Sequence, residues 1–118
     1  RETLYRSYNA SIENKDFRLY KKVSTLIKLK EFIHEIEEKI NPDVIVLYGS
    51  AAKGEDLEDS DIDLFIMGEE KSINLKKFEG ELNRKIHLIF EKNIKNVSKE
   101  FLNNLINGVV VSGYLKVF

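Results

Sequence analysis

Two aspartates, Asp61 and Asp63, stand at the mouth of an apolar run, Ile62 to Met67. Alternate residues of a strand project to one face, so the pair is expected to project together, about 6.6 Å apart. At that separation two carboxylates repel by about 2.5 kcal/mol at an effective dielectric of ~20. A cation between them relieves the repulsion. Hard divalent ions with oxygen ligands, Mg²⁺ first, suit two carboxylates that also face a phosphate. Ten residues separate Asp61 from Gly49-Ser50, which ends an earlier apolar run, Val44 to Tyr48. Glycine lets the backbone come close to a phosphate. Ser50 is expected to open a short helix whose free N–H groups face the same anion. Its hydroxyl is suited to a phosphate oxygen or to a plain N-cap, and the two roles are compatible. Lys53 is within reach of a phosphate, with an exposed lysine as the simpler state. Glu55, Asp56, Glu58 and Asp59 read as a solvated acidic loop, not as further metal ligands.

The elements that must position these residues follow from the same stretch. Asp43 to Tyr48 is the first strand, and its five apolar residues in a row predict a central position buried on both faces. Ile62 to Met67 is a second strand, and Lys85 to Glu91 a third. Upstream, Leu26, Leu29, Ile33, Ile36 and Ile40 recur at three- and four-residue steps, broadened by Leu19, Val23, Ile27 and Phe32, and predict one helix from Asp16 to Ile40. Asn14 or Asp16 is its expected cap, and Asn41-Pro42 its stop, because proline disfavours helix at the residue before it. The stripe is wider than one sheet face needs, so part of it is expected to meet a second domain or a second copy, a homodimer in the latter case. His34 lies among charged neighbours and reads as solvated. Downstream, Leu75, Phe78 and Leu82 predict a short packing helix, and Ser98 caps another that Asn107-Gly108 closes. Val109 to Val111 is a short edge strand, Gly113 a bend, and Tyr114, Leu115, Val117 and Phe118 are expected to pack the terminus down. Residues 1–15, polar with Leu4, Tyr5, Tyr8 and Ile12 interspersed, read as an arm on the domain or a partner, and residues 16–118 as one domain.

The wording Tyr-Gly-Ser-Ala-Ala-Lys-Gly (48–54) and Asp-Ser-Asp-Ile-Asp-Leu (59–64) resembles the core motif of the nucleotidyltransferase fold of the DNA polymerase beta superfamily. The resemblance is to its small archaeal and bacterial members, the minimal nucleotidyltransferases. It covers Asp43 to about Phe90, and the tail less closely. It implies an α/β (α+β) fold with a small mixed sheet flanked by helices and preceded by the long helix. It also implies transfer of a nucleoside monophosphate from a nucleoside triphosphate to an acceptor hydroxyl. Asp61 and Asp63 would be catalytic and hold Mg²⁺ or Mn²⁺, and Gly49, Ser50 and Lys53 would lie on the nucleotide.

The third strand departs from the pattern. Many members carry a third carboxylate there, and Ile86-His87-Leu88 puts His87 at the matching position. A neutral imidazole is a base near pH 7 but a poor Mg²⁺ ligand. Glu91 shares its strand face yet lies about 13 Å further along, too far to replace the missing acid. Small relatives often modify a protein partner, including a toxin-type partner. The Ile-Asn-Gly-Val-Val-Val-Ser-Gly-Tyr-Leu-Lys-Val-Phe tail resembles archaeal proteins that join such a domain to a winged-helix DNA-binding domain. The alternative expectation is therefore a nucleotide sensor in a regulator that touches DNA only through another domain.

Composition sets the bounds. A chain of 118 residues suits one small domain, and a net charge of −1 argues against a module that grips nucleic acid by phosphate neutralisation. The chain contains no cysteine, which excludes disulfides, zinc–thiolate sites and thiol chemistry. No run approaches the ~20 apolar residues that span a bilayer and no signal-peptide pattern is present, so no membrane association and a cytoplasmic place are expected. Frequent Lys, Glu and Ile with no Trp lean towards an A·T-rich or heat-adapted source. The first residue is Arg, so a piece of a longer protein is expected.

Overall fold

A computed structural model describes residues 2–56 and 60–117, with side chains described from residue 15 onward. The element order is α1 (Glu2–Ile40), β1 (Val44–Tyr48), α2 (Ser50–Lys53), β2 (Ile62–Met67), α3 (Leu75–Leu82), β3 (Ile86–Glu91), a 3₁₀ turn (Ile94–Asn96), α4 (Lys99–Ile106) and β4 (Val109–Gly113). The described residues form a four-stranded sheet in the order β3-β2-β1-β4. β1 runs antiparallel to both β2 and β4, while β2 and β3 are parallel. The sheet is therefore mixed, and β1 and β2 are its inner strands. That position explains the burial of every residue of β1 and of every residue of β2 except Asp63, which lies at the strand's entry. Parallel neighbours cannot be joined by a tight hairpin, and α3 supplies the crossover between β2 and β3.

Alternation splits the strand residues between two layers. On one face, Ile45 and Leu47 of β1, Ile62, Leu64 and Ile66 of β2 and Ile86 of β3 pack under Leu29, Phe32, Ile33, Ile36 and Ile40 of α1, Ala51 and Ala52 of α2 and Phe78 of α3. The Phe32 and Phe78 rings meet at 4.8 Å between centroids. On the other face, Val44, Val46, Tyr48, Phe65 and Met67 pack against Leu105, with Phe101 and Ile89 beside them. Ser98 caps α4 as expected, its hydroxyl accepting from the Phe101 N–H at 3.1 Å.

Three expectations are corrected. Helix α1 does not open at Asp16 but at Glu2. No proline or glycine interrupts residues 2–40, and Asn14 and Asp16 cost a helix interior only fractions of a kcal/mol each, too little to stop it. What the arm of residues 1–15 lies on falls outside the described side chains. The helix ends where expected, with Asn41 in the left-handed region at φ 51° and its N–H bonded to the Glu37 carbonyl at 3.0 Å. The C-terminal stretch packs down only in part. Leu115 joins the α4 side of the sheet, whereas Tyr114 is 83% exposed and Val117 is exposed, because the unpaired edge of β4 offers them no layer to cover. Phe118 lies outside the described residues. The third correction, Asp56, belongs to the site. The wide stripe of α1 leaves Phe17, Leu19, Tyr20, Val23 and Ile27 exposed. His34 is exposed too, 3.4 Å from Glu37 Oε1.

Candidate functional site

The site is assembled by strand register. Tyr48, the last residue of β1, stands opposite Asp63 on β2. Asp63 stands opposite His87 on β3. The three side chains form one row across the sheet at the end where β1 leaves it and β2 and β3 enter. His87 Nδ1 lies 3.2 Å from Asp63 Oδ1. An ionised carboxylate only accepts, so Nδ1 carries the hydrogen and donates it. In the neutral ring Nε2 is then the basic atom. The His87 side chain is 59% exposed.

Gly49 closes the row from the other side. Its φ of +76° is one that side chains rarely adopt, and a Cβ built there would stand 2.8 Å from Asp63 Oδ2. Any other residue would push against the carboxylate. The two oxygens of Asp63 thus have different neighbours, Oδ1 the imidazole and Oδ2 the bare backbone of Gly49. Tyr48 feels the same carboxylate. Burial first, and then the charge of Asp63, push its hydroxyl from 10.0 up to about 12. Its ring sits edge-on to Phe101 at 5.1 Å, an apolar floor beneath the row.

Gly49 is the N-cap of α2 with no side-chain cap bond, and Ser50 is the first helical residue. Gly49 holds the cap position, so the hydroxyl of the exposed Ser50 does not serve as the cap. Lys53 is exposed as expected and makes no ion pair among the described residues. Asp61 precedes β2 by one residue and is exposed. It borders a recess with Lys76, Gly80, Arg84 and Lys85. The structure thus brings together Asp63, His87 and Gly49, with Ser50 next in the chain, and leaves Asp61 and Lys53 without protein partners among the described residues.

Asp56 overturns the reading of a wholly solvated acidic loop. Its side chain is 2% exposed and lies 2.6 Å from Arg84 Nη1 through Oδ2. Lys21 Nζ stands 3.6 Å from Oδ1, which takes no hydrogen bond among the described residues, and Nζ donates to the Asp56 carbonyl. The cause is tertiary. Two cations from α1 and the approach to β3 meet at this point, and a paired carboxylate is the group they can bury. Glu55 is exposed, 3.9 Å from Arg18. Glu58 and Asp59 lie outside the described residues. Tyr48, Asp56 and Arg84 are the neighbours that sequence reasoning missed. Tyr48 alone carried a signal, as the one polar tip in an otherwise apolar strand.

The donor set fits a hard cation in chemistry: carboxylate oxygens on Asp61 and Asp63, and beside one of them a backbone approach that a side chain would fill. Among the described residues no three His, Cys, Asp or Glu side chains gather closely enough to hold a metal by themselves. Remaining ligands would have to come from substrate oxygens and water, which is how Mg²⁺ is commonly bound.

Residues 16–110 match the family described as nucleotidyltransferase domain. Among solved structures the chain is similar to a crystal structure of a toxin–antitoxin with AMP-PNP, with TM-score 0.54 and 19% identity, over 75% of this chain and 73% of that one. At that identity the likeness is one of fold. No curated protein matches the chain significantly.

Proposed function

The chain belongs to the nucleotidyltransferase domain family, and from that premise we propose that it moves a nucleoside monophosphate from a nucleoside triphosphate to an acceptor hydroxyl. The observation that carries the reading is the row Gly49, Asp63, His87, in which one carboxylate is flanked by an unhindered glycine backbone on Oδ2 and an imidazole on Oδ1. In this reading Gly49 and the exposed Ser50 hydroxyl receive the phosphates, with Lys53 in reach of their charge. Asp61 and Asp63 would hold Mg²⁺ or Mn²⁺, which when bound neutralises phosphate charge and polarises the reacting oxygens. His87 Nε2 accepts the proton of the acceptor hydroxyl as that oxygen attacks the α-phosphorus and pyrophosphate leaves. Asp63 keeps the ring in the tautomer that can do so and stabilises the imidazolium that forms. Chemistry of this kind rests on positioning and charge neutralisation, both within reach of a small domain. The acceptor is a protein partner in this proposal, consistent with the toxin–antitoxin setting of the similar structure.

The test is incubation with labelled nucleoside triphosphates, Mg²⁺ or Mn²⁺ and candidate partner proteins. Label transfer that disappears in Asp61→Asn and in Asp63→Asn supports the proposal. Calorimetry giving equal triphosphate binding with and without metal would count against it. One observation favours a second reading, a nucleotide-binding sensor with slow turnover, as in a regulator whose DNA contacts lie in another domain. A histidine stands where many relatives hold the third carboxylate. That reading predicts metal-dependent binding with only slow transfer, whichever partner is supplied.

A further inference from the structure

Arg84 has no role in the chemistry above, yet its guanidinium reaches both segments that deliver the site residues. Nε donates to the Ser60 carbonyl at 2.7 Å, and Nη2 reaches the Ser60 hydroxyl at 3.2 Å. Nη1 lies 2.6 Å from Asp56 Oδ2, and the arginine side chain is 10% exposed. Ser60 directly precedes Asp61 and leads into β2, while Arg84 itself leads into β3 and His87. These two strands are parallel neighbours whose joining chain passes through α3, so no short turn sets how far one enters the sheet relative to the other. At the entry, the backbone bond from Ile62 N–H to the Lys85 carbonyl, at 2.9 Å, accompanies the arginine. Asp56 is also held from α1, by Lys21.

We propose that Arg84 is a positioning residue of the site. By holding Ser60 and Asp56 with three separate nitrogens, it sets the entry of β2 against that of β3 and thereby the placement of Asp63 beside His87. The inference rests on the function proposed above. Three contacts from three nitrogens need a planar fork. Lysine offers one compact ammonium, which can stay with buried Asp56 but cannot also hold both Ser60 oxygens. Arg84→Lys therefore separates charge compensation from positioning.

The experiment compares wild type, Arg84→Lys and Asp56→Asn as full chains by amide hydrogen exchange, Mg-ATP binding and label transfer. For Arg84→Lys, faster exchange is expected at residues 61–63 and 86–87 while α4 and β4 keep wild-type rates. The transfer kcat should fall about 10–100-fold, the scale of a small misplacement of reacting groups. KM for the triphosphate should change less than kcat, because Gly49 and Ser50, which receive the phosphates in the reading above, are untouched. Exchange that accelerates evenly over the whole chain, with kcat falling only as the folded fraction falls, overturns the proposal and leaves Arg84 a structural ion pair. Wild-type kcat in Arg84→Lys overturns it too. Asp56→Asn, which leaves the Ser60 contacts in place, should keep kcat nearer wild type than Arg84→Lys does, and the reverse order counts against the proposal. A wild-type chain that neither binds Mg-ATP nor transfers label brings down the functional reading. The positional role then fails with it, whereas a wild type that transfers and an Arg84→Lys variant that does so equally well brings down the positional role alone.

Discussion

His87 stands 3.2 Å from Asp63, at the position where the motif this chain resembles carries an acid in many proteins, and its role separates the proposed readings. If the imidazole is the general base, His87→Ala should abolish transfer and His87→Asp should move the pH–rate profile to lower pH. If turnover is limited by the missing carboxylate, His87→Asp should instead raise the rate. The exposed side chain means that neither change should cost much stability. Rates against pH for the three proteins distinguish the cases, and fast transfer independent of His87 would remove it from the site. Tyr48 makes a second prediction. Its hydroxyl, pushed up to about 12 from 10.0, keeps its proton in the fold at a pH where the unfolded chain loses it. The associated stability is fully present below pH 10 and is lost as pH rises through about 12. Between those two values stability should fall with pH, because the fold keeps a proton that the unfolded chain releases. Urea unfolding of wild type against Tyr48→Phe from pH 8 to 12 measures it, and a stability difference that stays flat with pH would refute it.

The elements hold the row in place by packing on the far side of the sheet. Helix α1 grips that side with Leu29, Phe32 and Ile36, all at 0% exposure, while Ile27 on the same helix is 68% exposed. Phe32→Ala should therefore destabilise by about 3–5 kcal/mol, as removal of a fully buried ring does. Ile27→Ala should stay within about 0.5 kcal/mol. Thermal melts of the two variants check the assignment, and equal losses would mean that the helix is rotated about its axis. The loop after α2 is held differently. Gly54, at φ +67°, lies so close to the Arg18 carbonyl of α1 that a Cβ has no room, and Asp56 is buried between Lys21 and Arg84. Such a pair is poor evidence of net stabilisation, yet removing one partner strands a buried charge. Residues 54–56 are therefore constrained by geometry more than they are stabilised by it.

At the scale of the whole molecule the charges nearly cancel, at −1. The chain alone should therefore bind duplex DNA no better than the non-specific range of about 10⁻⁴–10⁻⁶ M at physiological salt. Fluorescence anisotropy over a salt series tests this, and nanomolar binding would contradict it. No helix among the described residues is long and apolar enough to cross a membrane. Much of the fold is legible in the sequence, because it depends on local signals. The apolar run of β1 marks burial on both faces, the three-and-four spacing of Leu29, Ile33, Ile36 and Ile40 marks a helix face, and Ser98 marks a cap. The glycine turn and Asp63 are legible for the same reason, as residue types at a set spacing along one stretch. The start of α1 is not, since a segment without breakers continues a helix whether or not its side chains have a layer to cover. The row Tyr48, Asp63, His87 depends on strand register, which joins residues distant in sequence and is decided by how whole faces pack. The burial of Asp56 depends on a lysine 35 positions away and on Arg84. An acidic loop reads as solvated until the cations that pair with it are brought to it, and only the tertiary structure brings them.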